Sequence, residues 1–195
     1  RGQVAGKARH RYIYRLAFPQ HPLGHRKILQ GFAPVRVSNA DPQRIYANGL
    51  SNGGGMSFQL VCKLSDRIAA FGGVAGAYVL AWENCQTERP VPAIIFHGTA
   101  DPIVPFEGGP SESFDVPFPN ITEWVQDMAE KNGCERIPKT IPMQGEVSGY
   151  HFTDCDQNAD VDYYIIDGGG HSWPGDGVSL YAAWLPASLN SRPAP

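Results

Sequence analysis

The stretch that decides the fold is IYANGLSNGGGMSFQLVCKL, residues 45–64. RIYANG, from Arg44 to Gly49, is a short β-favouring run that ends in glycine. GGGMSFQLVCKL then spaces Met56, Leu60, Val61 and Leu64 along one face of a helix. Between the two, Gly49-Leu50-Ser51-Asn52-Gly53 fits G-x-S-x-G. On a tight strand-to-helix turn a serine hydroxyl is lifted clear of the sheet, beside the unpaired backbone N–H groups that open the helix. Glycines flank such a turn because a Cβ there would collide with the neighbouring strand and helix. In a chain with 22 glycines the pattern alone is weak. Its place between a predicted strand and a predicted helix is what makes it informative.

Further along, AAFGGVAG and VPAIIFHG read as buried strands, each closed by glycine, and VDYYIID reads as another. NITEWVQDMAEKNG is the clearest helix. Ile121, Trp124, Val125, Met128 and Ala129 form an i, i+3, i+4, i+7, i+8 stripe, and Gly133 supplies a C′ stop. Strands and helices alternate, which predicts an α/β fold with parallel strands. No internal repeat or low-complexity segment interrupts the pattern.

A serine hydroxyl attacks only with a base beside it, and the base needs an orienting carboxylate. In α/β-hydrolases the chain order is Ser, then Asp or Glu, then His, the last two on loops that follow strands. AIIFHGTADPIVP supplies Asp101 just past a predicted strand, and YYIIDGGGHSWPG supplies His171 in a glycine-rich loop past another. Ser51, Asp101 and His171 are therefore the expected catalytic triad. Glu83 and Asp167 are weaker candidates for the acid: Glu83 follows no strand, and Asp167 lies too near His171 in sequence.

The 195 residues suffice for one domain with a sizeable core. An apolar fraction of 42% with 18% charged residues is that of a globular chain. The net charge of −3 gives no general attraction to nucleic acid or anionic membranes. No apolar run reaches the ~18 residues of a membrane helix. The charge is uneven, with Arg1, Lys7, Arg9, Arg11, Arg15, Arg26 and Lys27 all preceding Asp41. Residues 1–40 show poor periodicity and are expected to be a divergent or truncated segment ahead of a catalytic domain at 41–195. Cys62, Cys85, Cys134 and Cys155 allow three pairings. With no C-x-x-C pair, they fit two disulfides and an oxidising compartment, buried free thiols being the alternative. Sequential pairing closes two modest loops, each contributing roughly 3 kcal/mol.

GLSNGGGMSFQLVC, PVPAIIFHGTADPIVPFEGG and GGGHSWPG together resemble the secreted esterases that include polyhydroxybutyrate depolymerases and feruloyl esterases. The resemblance runs from about Asp41 to Gly175. It implies an α/β-hydrolase fold, a mostly parallel sheet with helices on both faces, ester substrates, no cofactor and secretion or a periplasmic location. It further implies Ser51 as nucleophile, His171 as general base and acid, Asp101 as its orienter and the Asn52 N–H as one oxyanion donor. KNGC and Cys155 resemble a cysteine pair of that family, which favours the 134–155 bridge. The chain departs from the pattern before Asp41, where the early strands and the His-Gly loop that supplies a second oxyanion donor have no counterpart. It departs again in SLYAAWLPASLNSRPAP, where Pro186 breaks the expected closing helix. A hydrolase fold that binds carbohydrate or polyester without turnover is the alternative reading.

Trp173, two residues after His171, is expected to border the site. Tyr78 and Trp82 could join it in gripping an aromatic acyl group or polymer, ordinary core packing being the alternative. DCDQNADVD sets Asp154, Asp156, Asn158, Asp160 and Asp162 at alternate positions like a calcium loop. Ala159 stands where such a loop needs glycine and Ile165 where it needs glutamate, so an acidic turn is expected instead. His10, His21, His25 and His151 lack ligand spacing, no metal is expected, and His97 is read as a structural histidine bonded to backbone. Asn120-Ile121-Thr122 is a glycosylation sequon.

Overall fold

The computed structural model describes residues 41 and 43–174. The basic segment 1–40 and the SLYAAWLPASLNSRPAP tail lie outside the described residues. So do the expected missing N-terminal strands.

β1 (Ile45–Leu50), α1 (Asn52–Leu64), β2 (Ile68–Val74) and β3 (Ala93–Gly98) follow in order. They are succeeded by α2 (Ile121–Lys131), β4 (Lys139–Ile141), β5 (Val147–Phe152) and β6 (Val161–Ile166). One six-stranded sheet results, with strand order β1-β2-β3-β6-β5-β4. The first four strands in that order pair in parallel. β4 and β5 add an antiparallel end. The architecture is α/β, as the alternation predicts, and each expected strand and helix is present. The sheet is mostly parallel, as expected, and the short β4–β5 pair at its antiparallel end has no counterpart among the strands read from the sequence.

Register explains the core. Phe71 pairs with Ala93, and Ala93 with Val161. Gly73 pairs with Ile95, and Ile95 with Tyr163. Because side chains alternate across a strand, these residues share one face. α1 packs Phe58 on Phe71 there, and α2 packs Trp124 on Phe58 at 4.9 Å. The stripe read from the sequence of α2 is its buried face. Asn120 caps this helix by accepting the Glu123 N–H, and Gly133 (φ 70°) takes the left-handed conformation past its end.

Among the described residues both α-helices thus cover the same face. Tyr46 (49% exposed) and Ile94 (38%) project from the opposite face.

The bridges are Cys62–Cys85 and Cys134–Cys155, the sequential pairing. The first ties the end of α1 to the loop after β2. The second ties the end of α2 to the turn between β5 and β6. With its cysteines 23 positions apart, the first bridge is expected to contribute about 3 kcal/mol. A Cys62→Ser/Cys85→Ser variant should therefore melt roughly 5–10 °C lower in calorimetry, and an unchanged melt would contradict that contribution.

Candidate active site

Ser51 occupies the N-cap position of α1 with φ 56° and ψ −123°, a conformation that side-chain-bearing residues adopt at a cost of about 1–3 kcal/mol. Its side chain makes no capping hydrogen bond. The backbone is held from three sides: Ser51 N–H donates to the Val74 carbonyl (2.9 Å), and its own carbonyl accepts from Gly55 (3.1 Å) and Ala77 (3.0 Å). Glycine is required where the elements meet. A Cβ on Gly49 would strike the Gly53 backbone, and one on Gly55 would strike the Ala77 carbonyl. Gly53, Gly54 and Gly55 cost helix stability, roughly 1 kcal/mol each relative to alanine, and are tolerated for that approach. The N–H groups of Asn52, Gly53 and Gly54 have no intrahelical acceptor, since the first α1 bond is Gly55 to Ser51.

Two further loops meet each other at the same strand-end edge. The segment after β3 and the segment after β6 are laced together because β3 and β6 are neighbours in the sheet. Thr99 N–H donates to the Ile166 carbonyl and Ala100 N–H to the Gly169 carbonyl, both at 3.0 Å. The Thr99 hydroxyl donates to Asp167 Oδ1 (3.1 Å) and accepts the Gly168 N–H (2.7 Å). A Cβ on Gly98 would run into the Gly169 backbone.

This lacing brings Asp101 (5% exposed) to His171 (3% exposed), with His171 Nδ1 donating to Asp101 Oδ2 at 2.8 Å. Asp101 Oδ1 accepts two backbone N–H groups, from Ile103 and Val104, each at 2.9 Å. A carboxylate gripped on both oxygens fixes one face of the imidazole and its tautomer. Asp167 accepts the Thr99 hydroxyl, and Glu83 lies in an exposed turn at Trp82–Asn84. Ser51, Asp101 and His171 follow β1, β3 and β6 respectively, at the C-terminal ends of parallel strands. In open α/β sheets ligands bind at that edge.

The remaining expectations divide. Trp173 is half-buried in the His171 loop. Asn52 opens α1 and is exposed. Tyr78 requires a correction: it belongs to the aromatic core, and Trp82 packs partly buried against that core. Tyr78, 2% exposed, stacks on Trp124 at 3.7 Å and 5°. Burial pushes its phenol far above the usual range. Trp82 meets Phe58 edge-on at 4.7 Å and lies under Lys131, in the last turn of α2. The Tyr78 ring is thus covered by its neighbours. In the acidic turn, Asp154 pairs with Lys139, and Asp160 and Asp162 flank His151 at 3.7 and 2.8 Å. Among the described residues no group of three or more such side chains is arranged to hold a metal ion. No described helix is long and apolar enough to cross a membrane.

No family model matches the chain. It is 37% identical over 145 residues to feruloyl esterase B of Piromyces equi, an alignment covering 70% of this chain and 26% of that protein. The chain is a relative of the feruloyl esterases. It is also 33% identical over 134 residues to the bifunctional acetylxylan esterase/xylanase XynS20E of Neocallimastix patriciarum, covering 69% of this chain and 19% of that protein. A protein named probable feruloyl esterase C, of Aspergillus flavus, is 28% identical over 149 residues, covering 74% of this chain and 49% of that one. The chain therefore spans half or less of each of these relatives. Among solved structures, the acetyl xylan esterase of Aspergillus awamori shares 16% identity at a TM-score of 0.45, over 74% of this chain and 60% of that one.

His97 is bonded to backbone, as expected: it is fully buried, with Nε2 2.9 Å from the Val104 carbonyl. Burial, the dominant influence, holds its imidazole below the usual 6.5. The unfolded chain takes up that proton first as pH falls, so it binds more protons than the native state below 6.5. Stability is therefore expected to drop as pH falls through and below 6.5, and the drop should be shallower in His97→Phe. Urea midpoints between about pH 7 and 5 check this, an equal slope in both proteins being the contrary result.

Proposed function

We propose that the chain is a serine carboxylic-ester hydrolase, with residues 41–195 as its catalytic domain. The observation that carries this reading is the Asp101–His171 hydrogen bond, held at the same strand-end edge as a serine on a left-handed strand-to-helix turn. In the proposed cycle His171 takes the proton of the Ser51 hydroxyl as Oγ attacks the ester carbonyl. The tetrahedral oxyanion is stabilised by the Asn52 N–H, oriented by the opening turn of α1. Asp101 holds the imidazole and stabilises the imidazolium that forms. His171 then protonates the leaving alcohol, and a water molecule repeats the sequence to free the acid.

The substrate class that the relatives' names suggest is a feruloyl or acetyl ester carried on a plant polysaccharide. Hydroxyalkanoate esters are the further class implied by the sequence resemblance. The chemistry uses no cofactor. Two disulfides suit a secreted or periplasmic site of action.

The test is hydrolysis of p-nitrophenyl acetate and butyrate beside methyl ferulate. Ser51→Ala is expected to lower kcat by on the order of 10⁴–10⁶-fold with the fold intact. Equal turnover by the folded wild type and variant would sink the enzyme reading and leave a binding protein on a hydrolase scaffold.

A further inference from the structure

His97 takes no part in the cycle above, yet it sits against the back of the Asp101 carboxylate. Its Nε2 lies 3.5 Å from Asp101 Oδ2, the oxygen that also accepts from His171, and both side chains are fully buried. A carbonyl can only accept, so the 2.9 Å contact with Val104 requires the proton on Nε2. Nδ1 is then bare, and it has no hydrogen-bond partner among the described residues. The ring is fixed from the side by Phe106, at 6.2 Å between centroids.

Val104 links the two groups. Its carbonyl accepts from His97 while its N–H donates to Asp101 Oδ1. The turn from Asp101 to Val104 is thereby held at both ends, by the carboxylate inside and by the imidazole behind. Without the His97 donor, the Val104 carbonyl would be a buried acceptor with nothing to bind, and the turn could tilt to find a partner. A tilt there rotates the carboxylate plane that His171 reads.

We infer that His97 is a positioning residue for the Asp101 carboxylate, bracing the Val104 peptide that grips Oδ1 and presenting a neutral N–H dipole to Oδ2. The inference rests on the triad reading above. It assigns His97 a role through Asp101 and no contact with substrate. A neutral imidazole is the appropriate brace here: a cation beside Oδ2 would compete with His171 for the carboxylate. The titratable groups acting on His97 are Asp101 and His171, and burial keeps its ring uncharged.

The test compares His97→Phe, which keeps a ring and removes the donor, with His97→Gln, whose amide can donate to Val104. In His97→Phe, kcat is expected to fall on the order of 10-fold with KM unchanged, below the ~10²-fold that a 1 Å misplacement can cost. The acid limb of kcat/KM should move to lower pH, because a looser carboxylate stabilises the His171 imidazolium less. His97→Gln should recover most of both. Independently of turnover, the far-downfield proton resonance of His171 Nδ1–H should broaden or move upfield in the Phe variant and return in the Gln variant. An unchanged resonance and acid limb in folded His97→Phe overturns the inference.

Should His97→Phe fail to fold, nitrogen chemical shifts of His97 in the wild type decide. A protonated Nε2 and bare Nδ1 from about pH 5 to 8 support the role, and the opposite tautomer or an imidazolium overturns it. A folded wild type that hydrolyses nothing would defeat the esterase reading, while the His171 resonance would still decide for or against His97.

Discussion

The position of the Ser51 peptide controls the rest of the molecule. Its N–H and carbonyl hold β1, β2 and α1 together through Val74, Ala77 and Gly55. Those three hydrogen bonds force the helix to start almost in contact with the sheet, and the contact in turn forces glycine at Gly49 and Gly55. The local sequence is poor for a helix in its first turn. Tertiary hydrogen bonds and the burial of Phe58, Val61 and Cys62 outweigh that weakness.

A second constraint works at the other half of the edge. β3 and β6 are far apart in sequence and adjacent in the sheet, so the loops that follow them share one set of hydrogen bonds through Thr99, Ala100, Gly168 and Gly169. Asp101 and His171 meet because their loops are bonded to each other before either side chain is considered. The stacked rings of Tyr78, Trp82 and Trp124, met edge-on by Phe58, join the two helices, and the bridges secure the helix ends. The edge carries the polar geometry, and the aromatic layer carries the apolar burial.

Much of this was legible in the residues. The α2 stripe and the glycine-closed strands announced their elements because period and punctuation agreed. Asp101 and His171 could be paired from chain order, since each follows an apolar run by the length of a short loop. β4 and β5 were missed for a physical reason. KTI is only three residues long, and VSGYHF puts a glycine where alternation would need a side chain. The burial of Tyr78 is not legible in the sequence, because an aromatic ring after a strand looks the same whether it turns toward solvent or toward Trp124. His97 was recognised as structural from its position beside a strand end. Its second contact, across to Asp101, depends on the turn at Val104, which periodicity does not describe.

The backbone of Ser51 carries a further consequence. A left-handed φ costs a serine what it would not cost a glycine, so the residue best suited to the scaffold at this turn is one with no hydroxyl. Natural drift toward greater heat resistance would therefore favour glycine at position 51, and under the proposed cycle only selection on turnover would hold the hydroxyl there. On that proposal durability and reactivity are opposed at a single Cα.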